Sequence, residues 1–161
     1  MREHIYRKKF VRVIAALNFI EPLICVLYRN KHFNSKEVSM IYTSYFGRMN
    51  SRKYGHLKDK GISIARGNKY WDGEQYPDLF PTWDIIKKAH DKTITEEEYE
   101  KIYRETVLNK LDPAKVAEDL NGRILLCWEK TADVESGEAF CHRYMVARWL
   151  KENGFEAEEL K

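Results

Sequence analysis

Six residues with reactive or ligand-gripping side chains stand between positions 127 and 143: Cys127, Glu129, Lys130, Cys141, His142 and Arg143. A thiolate is a nucleophile, a redox group or a soft metal ligand, and an imidazole moves protons near neutral pH. A carboxylate serves as acid or base, and a guanidinium grips phosphate or carboxylate bidentately. Cys141 has the strongest individual case, because Phe-Cys-His-Arg from Phe140 runs directly into a helical pattern. A helix N-terminus and adjacent cations both stabilise thiolate, so the Cys141 pKa is expected to fall toward roughly 4–7. Arg143 in the first turn opposes the helix dipole, which points to a bound anion or a nearby carboxylate such as Glu129. The candidate catalytic residues are therefore Cys141, His142 and Glu129. The candidate ligand-binding residues are Arg143, Lys130 and Cys127, with Ser44 and Arg66 from earlier strand ends.

Each of these residues also has a plainer reading. Cys127 closes an apolar run and is equally a small buried hydrophobe. His142 alone is more often a structural histidine, Arg143 alone a surface ion pair, and Glu129-Lys130 a solvated turn. Cys127, Cys141 and His142 would suit zinc. Adjacent Cys and His rarely chelate one ion together, however, and no Cys-x-x-Cys pair exists. His32, His56 and His90 show no diagnostic spacing. No metal is assigned on this basis, and the cofactor is unknown.

The elements that must position these residues can be read from the pattern. Positions 40–46 are β-branched and aromatic and end at Gly47, as a strand does. Positions 48–60 are basic and polar, with room for one short helix closed by Gly61; 62–65 form a second short strand leading to Arg66. A turn-rich, aromatic stretch follows over 68–81, either a pocket wall or lid or, slightly favoured, a loop pinned on the core. Three helices come next. Pro81-Thr82 opens the first, with Trp83, Ile86 and Ala89 or His90 on one face. Thr95 and Glu98 have capping-box spacing for the second, along Tyr99, Ile102, Tyr103, Thr106 and Val107. Asp112-Pro113 starts the third and Asn121-Gly122 stops it. A strand over 124–128, a polar loop over 129–138, a helix over 139–153 and a short edge strand or tail over 155–160 complete the order. Strands separated by helices imply an α/β fold: a small, mostly parallel sheet in three layers with helical crossovers. Its ligand crevice is expected at strand C-termini beside a helix N-terminus.

The chain has 161 residues, and its net charge of +3 is unevenly spread. Residues 1–39 carry eight Lys/Arg against three Glu, or +5, which leaves 20 basic and 22 acidic residues on 40–161, or −2. That near-neutral body disfavours a nucleic-acid partner, whose binders usually show a basic footprint. Three cysteines, Cys25, Cys127 and Cys141, are too few for a disulfide framework and suit a reduced cytoplasm. The mostly apolar run from Phe10 to Tyr28 would span about 19 residues. It contains Arg12 and Glu21, each costing roughly 2.5–3.5 kcal/mol at a bilayer centre, and it lacks a signal-peptide pattern. Residues 1–39 are expected to be upstream of a true start at Met40, or otherwise an accessory helix, with a membrane anchor the least favoured. A single domain would then occupy 40–161. The sequence leaves the oligomeric state open.

Ile-Leu-Leu-Cys-Trp-Glu-Lys (124–130) followed by Phe-Cys-His-Arg-Tyr-Met-Val-Ala-Arg-Trp-Leu (140–150) resembles the C-terminal signature of the DUF-488 family, a domain of unknown function. In that signature a strand ends in Cys, Glu-Lys follows, and Cys-His-Arg opens the last helix. Cys127, Glu129, Lys130, Cys141, His142 and Arg143 match it in order. Positions 40–46, 62–66 and 95–104 look like the family's short branch, so the resemblance spans about 40–153. Residues 1–39 have no counterpart in it. The spacer between Lys130 and Cys141 is longer here than in the family. The resemblance implies an α/β fold and a site, but no reaction. The favoured expectation is a site for a small anionic, phosphate- or nucleotide-like ligand, with enzymatic activity undecided. The alternatives are a nucleic-acid-associated module using Arg48, Arg52, Lys53, Lys58 and Lys60 with Tyr54 and His56, or a structural metal scaffold.

Overall fold

The computed structural model describes residues 39–68 and 71–161. The expectations for the N-terminal segment, Cys25 included, lie outside the described residues apart from Ser39. Four strands form one sheet: β1 (Ile41–Tyr45), β2 (Gly61–Ser63), β3 (Ile124–Cys127) and β4 (Ala157–Glu159). Their order is β2-β3-β1-β4 and every pairing is parallel. The helices are α1 (Phe46–Met49), α2 (Trp83–His90), α3 (Glu96–Thr106), α4 (Pro113–Asp119), α5 (Thr131–Glu135) and α6 (His142–Glu152). The expected α/β architecture is present, with no antiparallel strand among the described residues.

Two cores sandwich the sheet. Ile41, Ile62 and Leu125 look toward α2, α3, α4 and α6, where Ile85, Tyr103, Val116, Met145 and Leu150 complete the larger one. Ile124 and Leu126 look the other way, onto Phe46, Met49 and Trp71. The β1–β2 crossover runs over the smaller core. Both later crossovers run in the opposite direction over the larger core, as a single right-handed sense requires. β3 and β1 therefore send their following segments to opposite faces.

Local chemistry explains most boundaries. Thr95 Oγ1 accepts from Glu98 N while the Glu98 carboxylate accepts from Thr95 N, the expected capping box. Asp112 caps α4 ahead of Pro113, and its carboxylate accepts from Ala114 N at 3.0 Å. As expected, Gly61 closes a short helical segment, the 3-10 turn Gly55–Lys60, and it also opens β2; a Cβ there would meet Leu126 and Trp71 within 2.9 Å. The 68–81 segment is pinned: Trp71 is buried and donates from Nε1 to Glu74 O, and Gln75 bridges to Ser63.

Two readings need correction. Ile85 is the buried residue of α2, whereas Trp83 is 61% exposed. The Trp83 ring lies over Gly67, whose φ of +76° and absent Cβ admit the contact. The 129–138 segment is also not all loop, since α5 occupies its middle. Among the described residues no helix is long and apolar enough to cross a membrane.

Candidate functional site

β3 delivers Cys127 as its last residue, and Cys141 is the residue preceding α6. Cys141 is extended, with φ −141° and ψ 132°, whereas His142 is already helical. This change of backbone state between neighbours turns both side chains toward one point, which a continuous helix or strand would not do. One donor atom from each of Cys127, Cys141 and His142 falls within 4.8 Å of the other two, and all three residues are buried. His142 Nδ1 lies 3.5 Å from Cys127 Sγ, and Nε2 lies 2.9 Å from Ile64 O. A carbonyl only accepts, so Nε2 carries a proton and Nδ1 faces the sulfurs. The Tyr103 ring meets the imidazole edge-on at 5.6 Å, and its hydroxyl donates to Leu79 O at 2.6 Å.

The charges around this cluster are strongly perturbed. Burial pushes the Cys141 thiol up, but hydrogen bonds with Cys127 and His142 and the nearby cations His142 and Arg143 outweigh it, holding the group well below its ordinary range. Burial and the adjoining Cys141 charge drive Cys127 the other way. Burial disfavours the His142 cation, yet the Cys141 thiolate raises its pKa overall. The surroundings thus favour charge on Cys141 and oppose it on Cys127. Cys127 Sγ also donates to Glu129 Oε2 at 3.2 Å. Burial, then the Cys141 charge, pushes the Glu129 carboxyl up to about 7.

These four residues line one cavity of about 590 Å³, within the range of small-molecule sites. Its walls are Tyr99, Trp128 and Phe140 with Ile86, Ile94 and Pro81, and its cations are Arg66 and Lys92, with His90 beside them. Tyr99 and Phe140 meet edge to face at 5.2 Å. Arg66 donates from Nε to Pro81 O at 2.8 Å, and its guanidinium stands 5.5 Å from the Phe80 ring and 5.9 Å from Trp83. Lys92 has φ 53°. It occupies the left-handed position just past α2, with Lys92 N donating to Ala89 O and Thr93 N to Lys88 O. Glycine ordinarily fills that position in this helix stop.

Of the expected site residues, Cys127, Glu129, Cys141, His142 and Arg66 come together here. Arg143, Lys130 and Ser44 do not line this cavity. Arg143 is wholly buried, donating to Glu129 O at 2.7 Å and Glu159 Oε2 at 3.1 Å, with its guanidinium 4.6 Å from the Tyr144 ring. Its awkward position in the first turn is thus compensated by Glu159 of β4, not by Glu129's carboxylate. Glu159 also accepts from Thr43 and Thr131, both at 2.6 Å, and Arg48 donates to Thr131 at 3.4 Å. This network ties β1 and β4 to the starts of α5 and α6. Lys130 is exposed and precedes α5. Ser44 is buried within β1.

Sequence reasoning did not nominate Tyr99, Trp128, Phe140 or Lys92 as site residues. The first three carry an aromatic signal that a core explains equally well, and Lys92 carries none. In the basic segment, Lys58 pairs with Asp72 at 3.1 Å, and Arg48 and Lys53 lie over the Tyr54 ring. No family profile, curated protein or solved structure matches the chain.

Proposed function

We propose that the protein binds a small, ring-bearing anionic molecule, phosphate- or nucleotide-like, in the cavity at the β2 and β3 C-termini, in the manner of a DUF-488-type protein of the cytoplasm. One observation carries the reading: a single cavity holds aromatic walls, a cationic rim and the Cys-His-Glu cluster. Trp128 and Phe140 offer surfaces for a planar ring, and Arg66 and Lys92 offer charge-assisted donors for the anion. The conformation of Lys92 adds support. A left-handed non-glycine residue costs about 1–2 kcal/mol, and such strain concentrates at working sites. The motif from Cys127 to Arg143 supports the family reading, and the free thiols of Cys127 and Cys141 fit a reduced compartment. Glu129 lines the cavity where it would act on the bound molecule as an acid–base group.

Calorimetric titration with nucleoside 5′-monophosphates and the matching nucleosides tests this. The monophosphates should bind more tightly. Arg66→Ala should remove about tenfold or more of that affinity, the worth of a charged hydrogen bond of about 1.5–3 kcal/mol. Equal binding of both compounds, or none, contradicts the proposal.

A further inference from the structure

The three donors at the cavity floor have a chemistry that the ligand reading leaves unused. Two sulfurs and an imidazole nitrogen, all buried, converge within 4.8 Å among residues contributed by a strand end and a helix start. Zinc bound at 2.0–2.3 Å by such ligands places them about 3.4–3.8 Å apart around a tetrahedron. The 3.5 Å between Cys127 Sγ and His142 Nδ1 already has that spacing. The imidazole is also set as a ligating histidine usually is, with the distal nitrogen donating to a backbone carbonyl and the other aimed at the cluster.

We infer that Cys127 Sγ, Cys141 Sγ and His142 Nδ1 form a three-ligand site for a borderline-soft divalent cation of the zinc class, with its fourth position reached from the cavity. Thiolate and imidazole donors select this class over magnesium or calcium, which require oxygen shells. Two thiolates would balance the ion's charge, so the buried assembly is neutral. Three protein ligands leave a tetrahedral position open, the arrangement of catalytic rather than structural zinc. Glu129, 3.2 Å from Cys127 Sγ, is the oxygen group beside that position. The inference deepens the proposed function and rests on it for its purpose: the ion would be the electrophile at the floor of the ligand cavity. It also explains why two cysteines and a histidine are packed together away from water with no disulfide between them.

The test uses the full chain, expressed and purified in reductant without chelator. Elemental analysis should find about one equivalent of zinc. After stripping, cobalt(II) titration should saturate at one equivalent, with an intense thiolate-to-cobalt absorption that only sulfur ligation produces. Cys141→Ser and His142→Ala should lose stoichiometric binding, while Glu129→Gln keeps it. If a cysteine variant fails to fold, the cobalt spectrum of the unaltered chain decides by itself. A metal-free chain whose cobalt complex lacks the charge-transfer band overturns the inference, as does a Cys127–Cys141 disulfide in the purified protein. Metal binding with no response to nucleotides would remove the ligand reading alone. Nucleotide binding without thiolate–cobalt absorption would remove the metal site alone.

Discussion

At the scale of single residues, Arg143 and Tyr103 show how buried polar groups hold the site in place. Removing the Arg143 guanidinium leaves the partly buried Glu159 without its main cation, a loss of at most about 3–5 kcal/mol, the range for a fully buried pair. Arg143→Met is therefore expected to lower the urea midpoint strongly. Arg143→Lys should not restore it, because an ammonium cannot reach Glu129 O and Glu159 with the same fork. Tyr103→Phe orphans the Leu79 carbonyl and should cost about 1–3 kcal/mol, read as a lower midpoint at unchanged slope. Neither role was legible in the sequence. Cys141, His142 and Glu129 were legible as a cluster because their types and order are unusual. The partner of Arg143 was not, because Glu159 lies on a strand whose pairing with β1 is set by the whole sheet. The convergence of Cys141 with its own neighbour depends on one backbone transition that residue spacing does not encode.

The element scale separates what local rules determine from what packing determines. The α3 capping box and the Asp112-Pro113 start of α4 were readable because each is a contact within three residues. Thr95→Ala should cost about 0.5–2 kcal/mol in unfolding free energy. The α2 face was misread because Ile85 and Trp83 are both apolar, and only Gly67 and Arg66 outside the helix decide which one stays exposed. Lys92 links an element boundary to function. Lys92→Gly relieves the left-handed strain and should raise stability by about 1 kcal/mol, yet weaken monophosphate binding in the same preparation. Increased stability with unchanged binding would leave Lys92 a mere helix stop.

For the whole molecule, the parallel sheet with two cores places the C-termini of β2 and β3 under one roof of α2, α3 and the start of α6. The alternation of strands and helices made that fold class readable. The cavity's actual position was not readable, because it depends on the β2–β3 pairing that brings Ala65 and Arg66 beside Cys127. Long-range ion pairs also tie α6 to α3. Burial pushes the Glu100 carboxyl up, but hydrogen bonds from Arg148 and Arg104 outweigh it and hold the group below its usual value. A depressed carboxyl contributes stability above its unfolded pKa and loses it as pH falls through the folded value. The midpoint difference between the protein and Glu100→Gln should accordingly be largest near neutrality and shrink in acid. A pH-independent difference would assign the effect to packing.

Backbone amide NMR during titration with a nucleoside 5′-monophosphate shows where on the protein the ligand sits. Shifts are predicted at Ala65, Arg66, Lys92 and Phe140 through His142, and at the Trp128 indole, saturating together. Shifts confined to the basic 48–60 segment, or none at millimolar ligand, would contradict the proposed site.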